Sequence, residues 1–292
     1  MGKGLWIGLG LAAGAVGGVV YALTREEGVV GTAAEVVEEV KRVFEEAKKE
    51  VAERGVAVAL DFSALGQAIR AAKAVWSIVP SDELLRLAAQ AVAPFAIPLD
   101  VFMAFMRNES SLRTKGVFRQ EKNSYAKWKD RKAPGSDKTW GQLYSEADWG
   151  SYGPMQLMIF NFVGTPGGLT PGEPLAKGHD PLFNFTQAAR LINDLWKKYG
   201  NWKDVFSAYN SNLPFGKVTS SMFYTLHVAT YLRALGIGGI IDNNDVAALR
   251  TKIAEARAKG TTVGKPPKLQ ADAWQADLDK FLALNMSPGA PA

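Results

Sequence analysis

From Ser81 to about Gly239 the chain runs through one apolar-periodic stretch after another, cut at intervals by Gly and Pro. No run of alternating β-branched residues long enough for a sheet interrupts it. Apolar residues three and four apart bury one side of a helix, whereas a half-buried strand needs strict alternation. The pattern therefore predicts a mostly α-helical unit with minimal β structure, at most a short hairpin within 115–150. Ser81-Asp82-Glu83 marks a helix start, because a capping side chain and early acids satisfy and complement the free N–H groups there.

Outside that stretch the composition changes. Gly4 to Leu23 carries no charge and is about as long as a bilayer-spanning helix requires. Glycines four apart at 4 and 8, 10 and 14, and 14 and 18 suit close helix contact in lipid. Three readings stay open for it: a retained membrane span, a signal peptide cleaved after Val20-Tyr21-Ala22, or a buried soluble helix. Between 33 and 51, Val36, Val37, Val40, Val43, Phe44, Ala47 and Val51 recur at helical spacing among Glu and Lys. A second helical stretch at 62–79 ends at Pro80. A charged helix at 245–259, a Gly/Pro/Lys linker and a helix at 271–285 precede an SPGAPA tail. The expected organisation is a transmembrane helix or signal peptide (1–25), a helical stalk (26–80), a central domain (81–240) and a helical C-terminal extension (241–292). Helices of 26–80 packed on that domain are the alternative to a stalk.

Composition removes several chemistries. The chain has no cysteine, which excludes a disulfide framework, a zinc-thiolate site and a cysteine nucleophile. Its two histidines, His179 in a Gly/Pro-rich loop and His227 in an apolar helix, accompany no Gly-x-Ser-x-Gly elbow. A net charge of +5 favours polyanionic partners, whether nucleic acid, anionic lipid or cell wall. Lys and Arg are nevertheless scattered, and no nucleic-acid recognition module is present.

One acid stands out by position. The segment 98–110 opens with Pro98, sets Val101, Phe102, Phe105 and Met106 on a buried side, and brings Glu109 to the helix end. A side chain there can leave the core and enter a cleft. Walled by residues such as Met155 and Tyr209, its carboxyl would lose hydration and its pKa would rise. A general acid for a glycosidic oxygen must stay protonated near neutral pH, which such a shift provides.

Four ordered motifs then carry a family resemblance across about 98–235. Residues 98–110 resemble the helix bearing the catalytic glutamate of soluble lytic transglycosylases and goose-type lysozymes. Ser151-Tyr152-Gly153-Pro154-Met155-Gln156-Leu157-Met158 resembles their Gly-Leu-Met-Gln segment. Asp180-Pro181, Asn184, Ala188-Ala189, Leu191, Leu195, Tyr199-Gly200-Asn201-Trp202 and Ala208-Tyr209-Asn210 are similar to the family's helix, turn and Ala-Tyr-Asn motif. Tyr224, Val228 and Tyr231 look like its closing helix.

The resemblance implies a lysozyme-like fold that cleaves the MurNAc-β-1,4-GlcNAc bond of peptidoglycan glycan strands without cofactor or metal. It implies Glu109 as sole acid/base, giving 1,6-anhydro-muramic ends. It assigns Ser110 to orienting that glutamate or the substrate, and Gly153, Met155 and Gln156 to the cleft segment. Tyr209 and Asn210 would contact the glutamate and the sugar N-acetyl group, and Tyr224 would pack or hydrogen-bond beside them. The glycine-rich N-terminus, stalk and tail resemble wall-penetrating enzymes carried in phage particles. That likeness implies membrane association facing the periplasm and cell wall, local opening of the wall, and virion proteins as partners.

The chain departs from the family at several points. Ser211-Asn212 follows Ala208-Tyr209-Asn210 where Ala-Gly is usual, and Asn is the next-best residue for a left-handed turn. Pro154 replaces an aliphatic residue and removes a backbone donor. A long insertion before Gly153 carries Tyr125, Trp128, Trp140, Tyr144 and Trp149 among Lys and Arg, either as a sugar platform or as a solvated flap. It also carries Asp148, the candidate second carboxylate, with Asp137 and Glu146 as weaker ones. Two alternatives follow. One is a muramidase that hydrolyses the same bond with an Asp148-held water. The other is a catalytically inactive structural or ejection protein of a virion.

Overall fold

The computed structural model describes residues 65–95, 97–115, 117–259 and 267–284. The segment 4–23, the expected stalk up to residue 64 and the SPGAPA tail lie outside the described residues. Among the described residues, no helix is long and apolar enough to cross a membrane.

The described chain is mostly helical. Its helices are α1 (Lys73–Trp76), α2 (Asp82–Val92), α3 (Leu99–Ser110), α4 (Lys122–Trp128) and α5 (Trp140–Leu143). They continue as α6 (Pro181–Tyr199), α7 (Trp202–Ser211), α8 (Thr219–Arg233), α9 (Asn243–Ala258) and α10 (Pro267–Ala283). Short strands β1 (Phe118–Gln120), β2 (Gly150–Tyr152) and β3 (Leu157–Met158) form one antiparallel sheet in that order. The strand content is thus a three-stranded sheet rather than a hairpin within 115–150.

Local signals set the helix starts. Ser81 Oγ accepts from Leu84 N at 3.2 Å at the head of α2. Asp180 Oδ1 accepts from Phe183 N at 2.7 Å, with Pro181 in the first helical position of α6. Each such cap replaces water at a free N–H and is worth about 1 kcal/mol.

Helix α3 is the centre of the core. Sequence periodicity gave it one buried side, yet Val101 to Met106 are all buried, Met103 and Ala104 included. The reason is enclosure: α2 and α8 pack along it, and Phe102 meets Phe185 of α6 edge-on at 5.6 Å. A helix apolar all round belongs inside. Each large side chain so buried contributes roughly 1.5–3 kcal/mol.

The part of the expected stalk that is described, 65–80, packs into this same core. Ile69 and Trp76 are fully buried, and Trp76 Nε1 donates to Tyr231 O at 3.1 Å. The insertion buries three of its five aromatic residues and leaves Tyr125 and Trp128 half-buried. Trp140, Tyr144 and Trp149 are buried, with Trp140 and Trp149 edge-to-face at 5.4 Å and Tyr125 packed on Trp149 at 5.8 Å. Aromatic rings of this size release enough water on burial to fold the insertion onto the domain.

The C-terminal helices extend the fold through α8. Tyr224, Val228 and Leu232 of α8 join the main core, while Met222, Phe223, Leu226 and Ala229 join a second one with α9 and α10. Phe223 stacks on Trp274 at 4.4 Å, and Lys203 Nζ pairs with Asp245 at 2.9 Å, tying α7 to α9.

Candidate active site

Helix α3 ends abruptly, and that places Glu109. Ser111 closes the helix in the left-handed conformation (φ 55°), and Leu112 is left-handed as well (φ 63°). The last turn is pinned by Arg107, whose Nε donates to Trp76 O at 2.7 Å and whose NH1 donates to Ser111 Oγ at 3.0 Å. Glu109 therefore projects from a fixed helix end rather than a mobile loop.

Its carboxyl faces a small open cleft of about 70 Å³, lined by Glu109, Arg119, Gln156, Asn161, Tyr209 and Asn210, with Ser151, Leu157, Met158 and Leu191 between them. The sheet supplies one wall. In the antiparallel register Arg119 pairs with Ser151 and Ser151 with Met158. Directly opposed residues of neighbouring strands share a face. That row turns to the cleft. In the adjacent row, Tyr152 and Leu157 are buried and Phe118 stays exposed, with Tyr152 packed on Phe118 at 4.9 Å and on Phe162 at 5.5 Å.

The turn between β2 and β3 is held from α6. Gly153 sits at φ 67°, and a Cβ there would come within 2.6 Å of the Asn184 side chain and of Gly178 O. Only glycine fits both constraints. Asn184 accepts from Met155 N at 2.8 Å and donates to Tyr152 O at 2.9 Å and Gly178 O at 3.1 Å. Gln156 N donates to Gly153 O at 3.0 Å, so Pro154 occupies the second turn position, where its fixed φ suits the turn and no donor is required. Asn212 takes the left-handed cap of α7 (φ 62°), preserving the turn that glycine would otherwise make.

Burial dominates the electrostatics. Loss of hydration pushes the Glu109 pKa up to about 7, against a hydrogen bond from Tyr224 and the more distant charge of Arg119, which both lower it. The Tyr224 hydroxyl donates to Glu109 Oε1 at 2.5 Å. Tyr209 donates to Met155 O at 2.7 Å, and its ring lies 4.9 Å from Phe105. Burial, then the neighbouring Glu109 charge, raise both tyrosine pKa values well above the ordinary range, so both hydroxyls remain donors.

Other expected site residues sit elsewhere. Ser110 is buried and its hydroxyl donates to Met106 O at 3.3 Å, back along its own helix, rather than to Glu109. Met155 is fully buried; its backbone, not its side chain, serves the site. Gly153 is a packing position behind the cleft. Tyr224, by contrast, makes the kind of contact expected of it, a hydrogen bond to Glu109, although it is not itself a lining residue of the cleft. Asp148 lies in the exposed turn before β2, where its carboxylate accepts from Ser145 Oγ at 2.6 Å, and it is not among the cleft residues. Gln156, Tyr209 and Asn210 line the cleft as expected; Asn210 Oδ1 accepts from Ser221 Oγ at 2.9 Å.

Arg119 was not singled out from sequence, because a strand of three residues leaves no readable alternation, nor was Asn161, which lies in a single 3₁₀ turn (Ile159–Asn161) too short to show a period. Among the described residues, no group of three or more His, Asp or Glu side chains is placed to hold a metal ion. No protein-family model, curated protein or solved structure matches this chain.

Proposed function

We propose that the chain is a peptidoglycan lytic transglycosylase of lysozyme-like fold that breaks the MurNAc-β-1,4-GlcNAc bond with Glu109 as its single acid/base. One observation carries the proposal: a carboxyl with its pKa raised to about 7 at the base of an open cleft where, among the described residues, it is the only lining carboxyl. A lone acid poised near neutrality suits proton donation to a leaving oxygen.

In this reading Tyr224 donates to Oε1 and the acidic proton is carried on Oε2. Glu109 gives that proton to the glycosidic oxygen as the bond from muramyl C1 breaks. The carboxylate formed is stabilised by Tyr224. It then takes the proton of the muramyl 6-hydroxyl while O6 closes on C1, so the glutamate is regenerated and no water is consumed.

Polar side chains on both walls suit N-acetylated sugars. Gln156 Nε2 is engaged by Gly153 O, leaving its carbonyl oxygen as an acceptor for an acetamido N–H. Asn210 Oδ1 is engaged by Ser221, leaving its amide N–H groups as donors to an acetamido carbonyl. Leu157, Met158 and Leu191 offer apolar surface to the sugar ring. The wider proposal places the enzyme at a membrane through residues 1–25, facing the cell wall, as a component of a phage particle.

Digestion of purified peptidoglycan by the full chain and by its Glu109→Gln variant, with mass analysis of the product ends, tests the assignment. Anhydro-muramic ends that vanish in the variant are expected. Reducing ends one water heavier would replace the lyase by a hydrolase, and no cleavage by either protein would overturn enzymatic function.

A further inference from the structure

The cleft holds one cation, and it is not spent on the catalytic acid. Arg119 stands on β1 in the row that faces the cleft, with its side chain 65% exposed. Among the described residues, its one ion pair is Nε to Glu121 Oε1 at 2.5 Å, two residues along the same segment. The two terminal amino groups make no hydrogen bond among the described residues. Glu109 lies beyond ion-pair distance and takes its hydrogen bond from Tyr224 instead. A guanidinium fixed at Nε and open at its far edge is arranged as a two-pronged donor, the geometry that matches a carboxylate.

Every other lining group apart from Glu109 is neutral. A polymer of uncharged N-acetylhexosamines would offer such a fork only neutral oxygen acceptors, without the charge-assisted pair that a carboxylate makes. The muramyl residue differs from its neighbour by a lactyl side chain, which ends in a carboxylate or carries a peptide stem that ends in one.

We infer that Arg119 is the specificity-determining residue of this cleft, binding a carboxylate borne on the muramyl side chain. This rests on the glycan-cleaving assignment of the same cleft.

Binding isotherms separate the inference from the assignment beneath it. The full chain carrying Glu109→Gln, with and without Arg119→Gln, is titrated with three soluble tetrasaccharides of alternating GlcNAc and MurNAc. One has free lactyl carboxylates, one has them capped as methyl amides, and one bears dipeptide stems with free carboxyl ends. Losing a charge-assisted pair should weaken binding of a carboxylated ligand about 10- to 100-fold, with the capped ligand unchanged. Loss on the lactyl ligand or on the stem ligand identifies the source of the carboxylate. Arg119→Lys, which keeps the charge but not the fork, should fall between. Equal binding of all three ligands by both proteins, or an equal loss on all three, overturns the inference and leaves the glycan assignment standing. No binding of any ligand by the protein that retains Arg119 overturns both.

Discussion

Tyr224 and Glu109 lie 115 positions apart in the chain and 2.5 Å apart in space, the tyrosine hydroxyl donating to Oε1. The contact joins the end of α3 to α8, the two helices that share the centre of the core. Two opposed influences meet in it. Burial drives the carboxyl towards its neutral form, and the hydrogen bond favours its ionised form, leaving a pKa of about 7. Glu109 also occupies the C-terminal turn of α3, whose negative dipole end disfavours a carboxylate.

The first prediction concerns pH. If Glu109 acts from its protonated form, kcat/KM should hold up to about pH 7 and then fall about tenfold per unit as the acid ionises. Turnover of purified peptidoglycan measured from about pH 5 to about pH 9 checks this. Glu109→Gln should lower the rate by at least about 10²-fold on the plateau below about pH 7 and should abolish the alkaline limb. A profile that stays flat through pH 7 would remove Glu109 as the acid.

Removing the Tyr224 hydroxyl should move that limb in a known direction. The hydrogen bond lowers the Glu109 pKa, so Tyr224→Phe raises it and carries the alkaline limb upward by about one pH unit. The rate on the plateau should also drop, since the departing carboxylate loses its donor. A limb displaced to lower pH would contradict the contact as described.

Stability should depend on pH through the same group. The carboxyl has a pKa of about 7 when folded, against 4.5 for an unperturbed glutamate. Between those values the folded state holds a proton that the unfolded state has released. Its contribution is complete below about pH 4.5 and is lost progressively as pH rises to about 7, a change of roughly 3 kcal/mol. Glu109→Gln does not titrate, so its stability advantage over the wild type should grow across that window and level off above it. Urea denaturation of both proteins at about pH 4.5 and about pH 8 measures the difference; identical shifts would show that Glu109 is not the linked group.

Long-wavelength features were legible in the sequence, and close-range ones were not. The helical course from Ser81 onward, Glu109 at its helix end and the left-handed turn at Asn212 all follow from residue type and spacing. The sheet was not readable, because β1 and β2 are three residues each and lie about thirty positions apart, so their pairing depends on the folded insertion. Arg119 was missed with it. Ser110 shows a different limit: adjacency to Glu109 suggests a shared role, but successive helix residues point about 100° apart, and the Ser110 hydroxyl turns into the core. Trp140 and Trp149 have the composition of a sugar platform, and only packing against each other reveals them as core.

Asn184 offers the sharpest test of how the scaffold serves the site. Its amide is buried and makes three hydrogen bonds to the loops that carry Tyr152, Met155 and Gly178. Asn184→Ala would leave one buried N–H and two carbonyls without their partner and open a void against Gly153, at a cost of about 3 kcal/mol. Asn184→Asp keeps the acceptor for Met155 N but sets a carboxylate oxygen against two carbonyls, and should be at least as damaging. Met155 in turn accepts the Tyr209 hydroxyl through its carbonyl, so a displaced turn also displaces a wall of the cleft. Chemical denaturation should therefore report the loss of stability. In the fraction that remains folded, kcat should fall while the pH of the alkaline limb stays with Glu109 and Tyr224. A variant that is destabilised but retains full turnover would mean that Asn184 supports the fold alone, and that the turn it clamps does not position the cleft wall.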